Sequence, residues 1–347
     1  MRQDLILVGD LMLRHAKEPG RPFDKGPADV LFGNLEGCLY TTDKDFQAGV
    51  ARYKGTALDI SQSPPTKSRR YDVDPAAADL LKAAGYDAVG CANNVTFGEE
   101  AIPASIARLD EVGIAHTGAG RNRRSARAPA VVEKNGVRFG FLQYSCLYYP
   151  LGHEATETTP GIAVLKAYTA YQPHPLVMES PGEPAAVVTW PDPDHLSDMG
   201  RDIGGLKDRV DIAVASFHWG LGLTHEPIQY QLEIARAAVD AGADIVMGHG
   251  SHAVQAVEVR ADKPVFYSLG DFVGRSQRVG LVVRAGVSDG RLRRIILSLA
   301  RPDAEGRPVM RSAAEEPETV ETLKRVSQAL GTKLKEEADS LLVWQAA

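Results

Sequence analysis

Short apolar, β-branched runs alternate with amphipathic stretches through most of the chain. The short runs fall at residues 5–8, 29–33, 88–92, 137–144, 211–217, 244–248 and 265–269, each bounded by polar turn residues and too brief for a helix. Between them, apolar residues recur at helical spacing over 75–84, 99–112 and 227–241. Pro75 and Pro227 suit a first helical turn, where a missing N–H is no loss, and Gly85, Gly113 and Gly242 follow the last apolar position as stops. Strand, turn and helix repeated in this order predict an α/β fold.

The texture changes towards the end. VGLVVRAGV, SDG and RLRRIILSLA predict a hairpin that turns at Asp289-Gly290, and a last helix is expected over 314–337. Two stretches, 43–72 and 148–197, show no regular period. The second is proline-rich and carries His153, His174, Trp190 and His195, so it is expected to be a lid or substrate-binding insertion. The chain is read as one domain over 1–347, with an insertion at about 148–197 and a hairpin plus helix over about 276–347.

Composition narrows the class without naming it. With 347 residues, 44% apolar and 7% aromatic, the chain has an ordinary globular supply, which excludes disordered and fibrous proteins. The formal net charge is −6, and basic residues are scattered apart from Arg69/Arg70 and Arg121, Arg123, Arg124 and Arg127. The cationic face that nucleic acid requires is missing, so no nucleic-acid partner is expected. Cys38, Cys91 and Cys146 lack CxxC spacing and sit in or beside apolar runs, as small buried thiols of a reducing compartment do. The chain enters its first strand within a few residues of Met1, and a soluble, cytoplasmic protein without a membrane partner is expected.

Chemistry concentrates at strand ends. The run 5–8 leads into Asp10, 29–33 into Asn34 and Glu36, 88–92 into Asn93 and Asn94, 211–217 into His218, and 244–248 into His249 with His252 close behind. In open α/β sheets, ligands bind outside the carboxyl ends of strands, so these residues are expected to converge. Carboxylate, amide and imidazole donors without thiolate suit one or two divalent ions such as Mn, Fe or Zn in a hydrolytic centre.

The segments GDLM at 9–12, NLEG at 34–37, CANN at 91–94, HTGAG at 116–120, FHWG at 217–220, AGADIVMGHGSHAVQAVE at 241–258 and YSLGDF at 267–272 resemble the CapA family. That family is named for capsule and poly-γ-glutamate synthesis and belongs to the calcineurin-like metallophosphoesterase superfamily. The resemblance implies an αββα sandwich of two mixed sheets flanked by helices, with a dinuclear metal site at one edge. By the same resemblance Asp10 holds the first metal, Glu36 bridges, Asn94 binds the second metal, and His218, His249 and His252 complete the set. Asn34 orients a ligand from behind or touches substrate.

Three departures shape the expected activity. Val95 stands where the family pattern has a histidine that helps protonate the leaving group, and a valine transfers no proton. Gly222 and Leu223, followed by His225, replace an acidic-aromatic pair, and Asp271 replaces an asparagine in YSLGDF. The expectation is a metal-dependent hydrolase acting on a small or oligomeric anionic substrate at a bond other than a phosphomonoester: a phosphodiester, amide, lactone or ester. His225 and Asp271 are the candidate catalytic groups, with His153 and His15 as further replacements for the acid. Arg14, Asn34 and Arg275 are candidate substrate contacts, with Arg278 nearby. The alternative is a non-hydrolytic role in capsule or poly-γ-glutamate assembly, with the metal site used for polymer binding.

Overall fold

The strand Gln3–Leu11 shows how the layers arise. Its side chains alternate between two faces. Leu5 and Leu7 join Phe32, Phe139, Phe141, Val214 and Met247 in one buried cluster, in which the Phe32 and Phe141 rings stack at 4.6 Å. Ile6 and Val8 point the other way, to Leu81, Ile102 and Leu109 on the helices Ala77–Ala84 and Ala101–Val112. In the second sheet Leu142, Ala213, Ala215 and Val246 face outward to Met199, Ile203, Ile234 and Ala238 on the helices Pro193–Lys207 and Gln229–Asp240. Each of the larger side chains among these, Leu, Ile, Val, Phe and Met, contributes roughly 1.5–3 kcal/mol by leaving water. The result is the expected helix, sheet, sheet, helix sandwich. The computed structural model describes residues 3–13, 25–41, 70–148, 152–177, 179–274 and 276–346.

Both sheets are mixed. In the larger one, Gln3–Leu11 runs parallel to Val30–Leu35, which continues in parallel to Ala88–Gly90 and Ala115–Thr117. On its other side it runs antiparallel to Gly280–Ser288, which leads through Arg291–Pro302 to Ser340–Gln345. The smaller sheet has four parallel strands, Val137–Ser145, Ile212–His218, Ile245–His249 and Lys263–Phe266, closed by the antiparallel edges Ala130–Lys134 and Val257–Arg260. The seven strands and three helices predicted ahead of the C-terminal hairpin are present with ends shifted by a few residues, and so is the hairpin, as Gly280–Ser288 with Arg291–Pro302. Gly85, Gly113 and Gly242 have positive φ, as helix stops should. Cys38, Cys91 and Cys146 are buried free thiols. No helix among the described residues is long and apolar enough to cross a membrane.

Two expectations are corrected. The last helix spans only Pro317–Ala329; Gly331 turns the chain at φ 78°, and Lys335–Glu337 and Ser340–Gln345 form strands on the edge of the larger sheet. Lys335–Glu337, inside the expected helix, is instead held as a strand by pairing with Ser340–Gln345, which itself pairs with Arg291–Pro302. The stretch 148–197, read as irregular, carries a hairpin of Ala167–Gln172 with Ala186–Pro191 and the start of the helix Pro193–Lys207. Of the other irregular stretch, 43–72, only the last three residues lie among those described.

Candidate metal centre

Parallel register sets the site. At the ends of the central strands, Asp10 stands beside Asn34 and Asp271 in the larger sheet, and His218 stands beside His249 in the smaller one. The strand Asp271–Val273 reaches this edge because Gly9 lets it cross closely: a Cβ at Gly9 would lie 1.9 Å from the Gly270 carbonyl oxygen. Gly250 has φ 92° and leaves room for His218, whose Nε2 would lie 2.8 Å from a Cβ there. The turn then brings His252 back over the cluster with φ 53°, a conformation rare for a residue with a side chain and concentrated at functional sites. Arg278 Nε donates to the His252 carbonyl at 2.8 Å and holds that turn.

Of the six expected metal ligands, Asp10, Glu36, His249 and His252 gather in one cluster, and Asn94 and His218 form a pair beside it that meets it through Asn34, whose Nδ2 lies 3.5 Å from His218 Nδ1. His252 Nδ1 lies 2.8 Å from Asp271 Oδ1 and 3.6 Å from Asp10 Oδ2, and its Nε2 lies 3.8 Å from Glu36 Oε1. His249 Nδ1 lies 3.4 Å from Asp10 Oδ1. Asn94 Oδ1 is 2.9 Å from His218 Nε2. Asp10, His252 and Asp271 bring ligand atoms within 4.8 Å of one another, a triad able to hold a metal ion.

The electrostatics call for a cation. Asp10, Glu36 and Asp271 are three carboxylates at no more than 1% exposure. Burial pushes Asp10 up to about 6, with the neighbouring Asp271 adding to the rise. Burial and the Asp10 charge push Glu36 up to about 8. His252 moves the other way for an imidazole: burial would lower it, but the Asp271 hydrogen bond and the Glu36 and Asp10 charges raise it to about 10. His249 falls to about 3 and His218 lies well below the usual histidine range, both through burial. A single imidazolium thus faces three acids.

Three buried donor atoms test the fit. Glu36 Oε2, His249 Nδ1 and Asp271 Oδ2 have no hydrogen-bond partner among the described residues. His249 Nε2 lies 3.0 Å from Ser216 Oγ. With the ring proton given to Ser216, the neutral ring turns its Nδ1 lone pair toward the Asp10 carboxylate. Lone pair facing carboxylate is unfavourable unless a cation lies between them, and buried orphans of this kind cost about 1–3 kcal/mol each. The residues present therefore fit a divalent ion with mixed N/O donors.

The other expected site residues divide. Asn34 is fully buried; its Nδ2 donates to Asp10 Oδ1 at 2.6 Å, and its Oδ1 accepts from Gln143 Nε2 at 2.9 Å. It orients Asp10 and is not placed to touch substrate. Asp271 lies inside the ligand cluster. His225 is held by Val254, its Nδ1 donating to that carbonyl at 2.8 Å, with no contact shown to the cluster. His153, lowered to about 4 by burial, donates from Nε2 to the Asn94 carbonyl at 2.8 Å and packs on Phe97. It braces the Asn94 turn from behind. Arg14, His15 and Arg275 lie outside the described residues.

Sequence reasoning missed Gln143 and Ser216, polar residues inside otherwise apolar strands, a break in pattern that was there to be read. Gln143 ties the centre together, since its Oε1 also accepts from the Ala92 N–H at 2.6 Å. Gln143→Leu is expected to destabilise the fold by about 1–3 kcal/mol in urea unfolding, through the stranded Ala92 N–H. It should also weaken metal binding by about tenfold or more by releasing Asn34.

The sandwich, with carboxylates and imidazoles at its strand ends, is consistent with the metallophosphoesterase class that the motifs imply. The chain belongs to the family described as "Bacterial capsule synthesis protein PGA_cap", whose profile matches residues 5–276. It is 26% identical over 273 residues to the capsule biosynthesis protein CapA of Bacillus anthracis, covering 78% of this chain and 59% of that protein. Against the PGA biosynthesis protein CapA of Bacillus subtilis it is 26% identical over 272 residues, 77% of this chain and 62% of that one. The uncharacterized protein y4uA of Sinorhizobium fredii is 26% identical over 317 residues, 77% of this chain and 65% of that protein. The chain thus spans less than two thirds of these relatives. Among solved structures, "GAP50 the anchor in the inner membrane complex of Plasmodium" aligns over 93% of this chain and 96% of that one at 9% identity, with a TM-score of 0.29, too low to carry an argument.

Proposed function

We propose that the chain is a metal-dependent hydrolase of small or oligomeric anionic substrates, cleaving a bond other than a phosphomonoester. The observation that supports it best is the set of buried carboxylates and imidazoles with orphaned Glu36 Oε2, His249 Nδ1 and Asp271 Oδ2. Asp10, Glu36, Asn94, His218, His249 and His252 would hold one or two ions of the Mn, Fe or Zn kind, with Asp271 added to the set. The chemistry supplied there is polarisation of a carbonyl or phosphoryl oxygen and a lowered pKa of bound water. Asn34 and Ser216 keep Asp10 and His249 in orientation, and burial of the carboxylates excludes competing solvent.

Proton supply limits the substrate. Val95 is buried and aliphatic, His153 Nε2 is committed to the Asn94 carbonyl, and His225, bound through Nδ1 to the Val254 carbonyl, shows no contact with the cluster. A leaving group that departs without a strong acid fits best: a phosphodiester, amide, lactone or ester whose leaving group is good or carries its own proton. A second reading, a non-hydrolytic role in assembling or binding a capsule polymer, is favoured by the names of the relatives, which include a "Probable polyglutamine synthesis accessory protein" of Mycobacterium tuberculosis.

Metal analysis of protein purified without chelator, joined to turnover on a panel of esters, amides and phosphodiesters, tests both. Bound metal with turnover supports the hydrolase; bound metal with tight polymer binding and no turnover supports the second reading; no metal defeats both. Val95→His is expected to raise turnover of an aryl phosphate by about tenfold or more, since a positioned general acid is worth 10²–10⁴-fold. No gain would place the acid position elsewhere.

A further inference from the structure

Beside the metal cluster lies a cleft of about 190 Å³, lined in part by His225, Val254, Arg278, Val279, Arg301 and Thr319. Arg278 separates the two. One side of its guanidinium faces the cluster, with Nε on the His252 carbonyl at 2.8 Å and Nη2 at 3.8 Å from Asp271 Oδ2. Its side chain is 44% exposed, so the remaining N–H groups are open to a ligand. Arg301 is not available in this way, because both Glu316 oxygens and the Gln277 carbonyl hold it. His225 gives its Nδ1 proton to Val254 and keeps Nε2 for other use.

The charge of the lining is one-sided. No carboxylate is among the described lining residues, and Val254, Val279 and Ala253 supply an apolar wall. A guanidinium fork matches a planar carboxylate in shape, and apolar walls strengthen such a pair by excluding water. With Arg301 taken up by Glu316, a single exposed guanidinium, Arg278, is left to face a ligand, and one such charge favours a carboxylate over a phosphate dianion. We propose that this cleft is a carboxylate subsite, in which Arg278, with His225 on the same lining, receives a carboxylate of the substrate whose reacting bond lies at the Asp10, His252 and Asp271 cluster. The inference deepens the hydrolase reading and rests on it for the word substrate; the subsite itself rests on the cleft. It also gives His225 a role in binding in place of the proton transfer expected for it.

Titration calorimetry of the metal-loaded chain with glutarate and with the neutral glutaramide tests this. The wild type is expected to bind glutarate and not glutaramide. Arg278→Met should weaken glutarate by about tenfold or more, the loss of one charge-assisted pair. Because Arg278 also holds the His252 turn, Thr319→Glu is the second variant: it places a negative charge in the lining at a residue with no contact shown to His252 or Asp271. It too should weaken glutarate by about tenfold with metal content unchanged. Equal binding of glutarate and glutaramide, no binding of either, or full glutarate affinity in Thr319→Glu would overturn the subsite. Cleft-dependent glutarate binding in a chain that turns over nothing would sink the hydrolase reading and leave the subsite standing. Ester turnover without cleft-dependent binding would do the reverse.

Discussion

Asp10→Ala, purified without chelator, is expected to carry at least about tenfold less metal than the wild type and to lose its turnover. Asp10 is the residue around which the others are arranged. Its two oxygens lie 3.4 Å from His249 Nδ1 and 3.6 Å from His252 Nδ1, and they accept from Asn34 Nδ2 and the Gly250 N–H. Removing it takes away a ligand and frees both Asn34 and the Gly250 turn. A control separates metal loss from general damage. Asp244, a buried carboxylate just before the strand Ile245–His249, is held by Lys207 and Lys263 at 2.6 Å each and has no contact shown to the cluster. Asp244→Ala is expected to lower the urea midpoint while metal content stays at the wild-type level. Equal metal in the Asp10 variant and the wild type, measured by elemental analysis, would defeat the central assignment.

The metal-free chain is expected to lose stability as pH rises from 7 to 9, by about 4 kcal/mol, at roughly 1.4 kcal/mol per pH unit for each proton retained only by the folded state. The sign follows from which groups still titrate in that window. His218 and His249 are lowered, so their contribution grows as pH rises towards the usual histidine range and is complete by pH 7. Asp10, raised to about 6, has also lost its proton in both states by then. Glu36, raised to about 8, and His252, raised to about 10, remain. The folded chain keeps protons on them that the unfolded chain has released, so their stabilisation is lost as pH climbs through those values. A bound divalent ion takes the place of those protons, and with it the slope should flatten or reverse. Urea midpoints at pH 7, 8 and 9, with chelator and with excess metal, check both limbs; a chelated chain that gains stability over this range would contradict them.

Much of this centre was legible because its chemistry sits where period-2 apolar runs stop. Asp10, Glu36, His218 and His249 each follow such a run, and the packing of two sheets turns that shared address into proximity. Asp271 was harder. It sits on a three-residue strand that crosses back to pair with Gln3–Leu11, so its motif pointed to catalysis while its register puts it among the ligands. Gln143 and Ser216 act from mid-strand, where polar residues read as exceptions to a pattern. The hairpin over Ala167–Gln172 and Ala186–Pro191 was hidden by its prolines, although Tyr168 to Tyr171 alternates correctly with Val187 to Trp190 across the pair. The end of the chain misled for another reason: the helical texture of Lys335–Glu337 yields to pairing with Ser340–Gln345, a strand that Arg291–Pro302 holds on the edge of the sheet.

The two sheets do not share the donors evenly. Asp10, Asn34, Glu36, Asn94 and Asp271 come from the larger sheet and the loops at its edge, whereas His218, His249 and His252 come from the smaller. Oxygen stands on one wall and nitrogen on the other, so neither half holds a complete coordination sphere. An ion between them would act as a rivet through the sandwich, and any slip of one sheet against the other would register at once as a change in its bond lengths. Chemistry and mechanical integrity are thereby tied to the same seam.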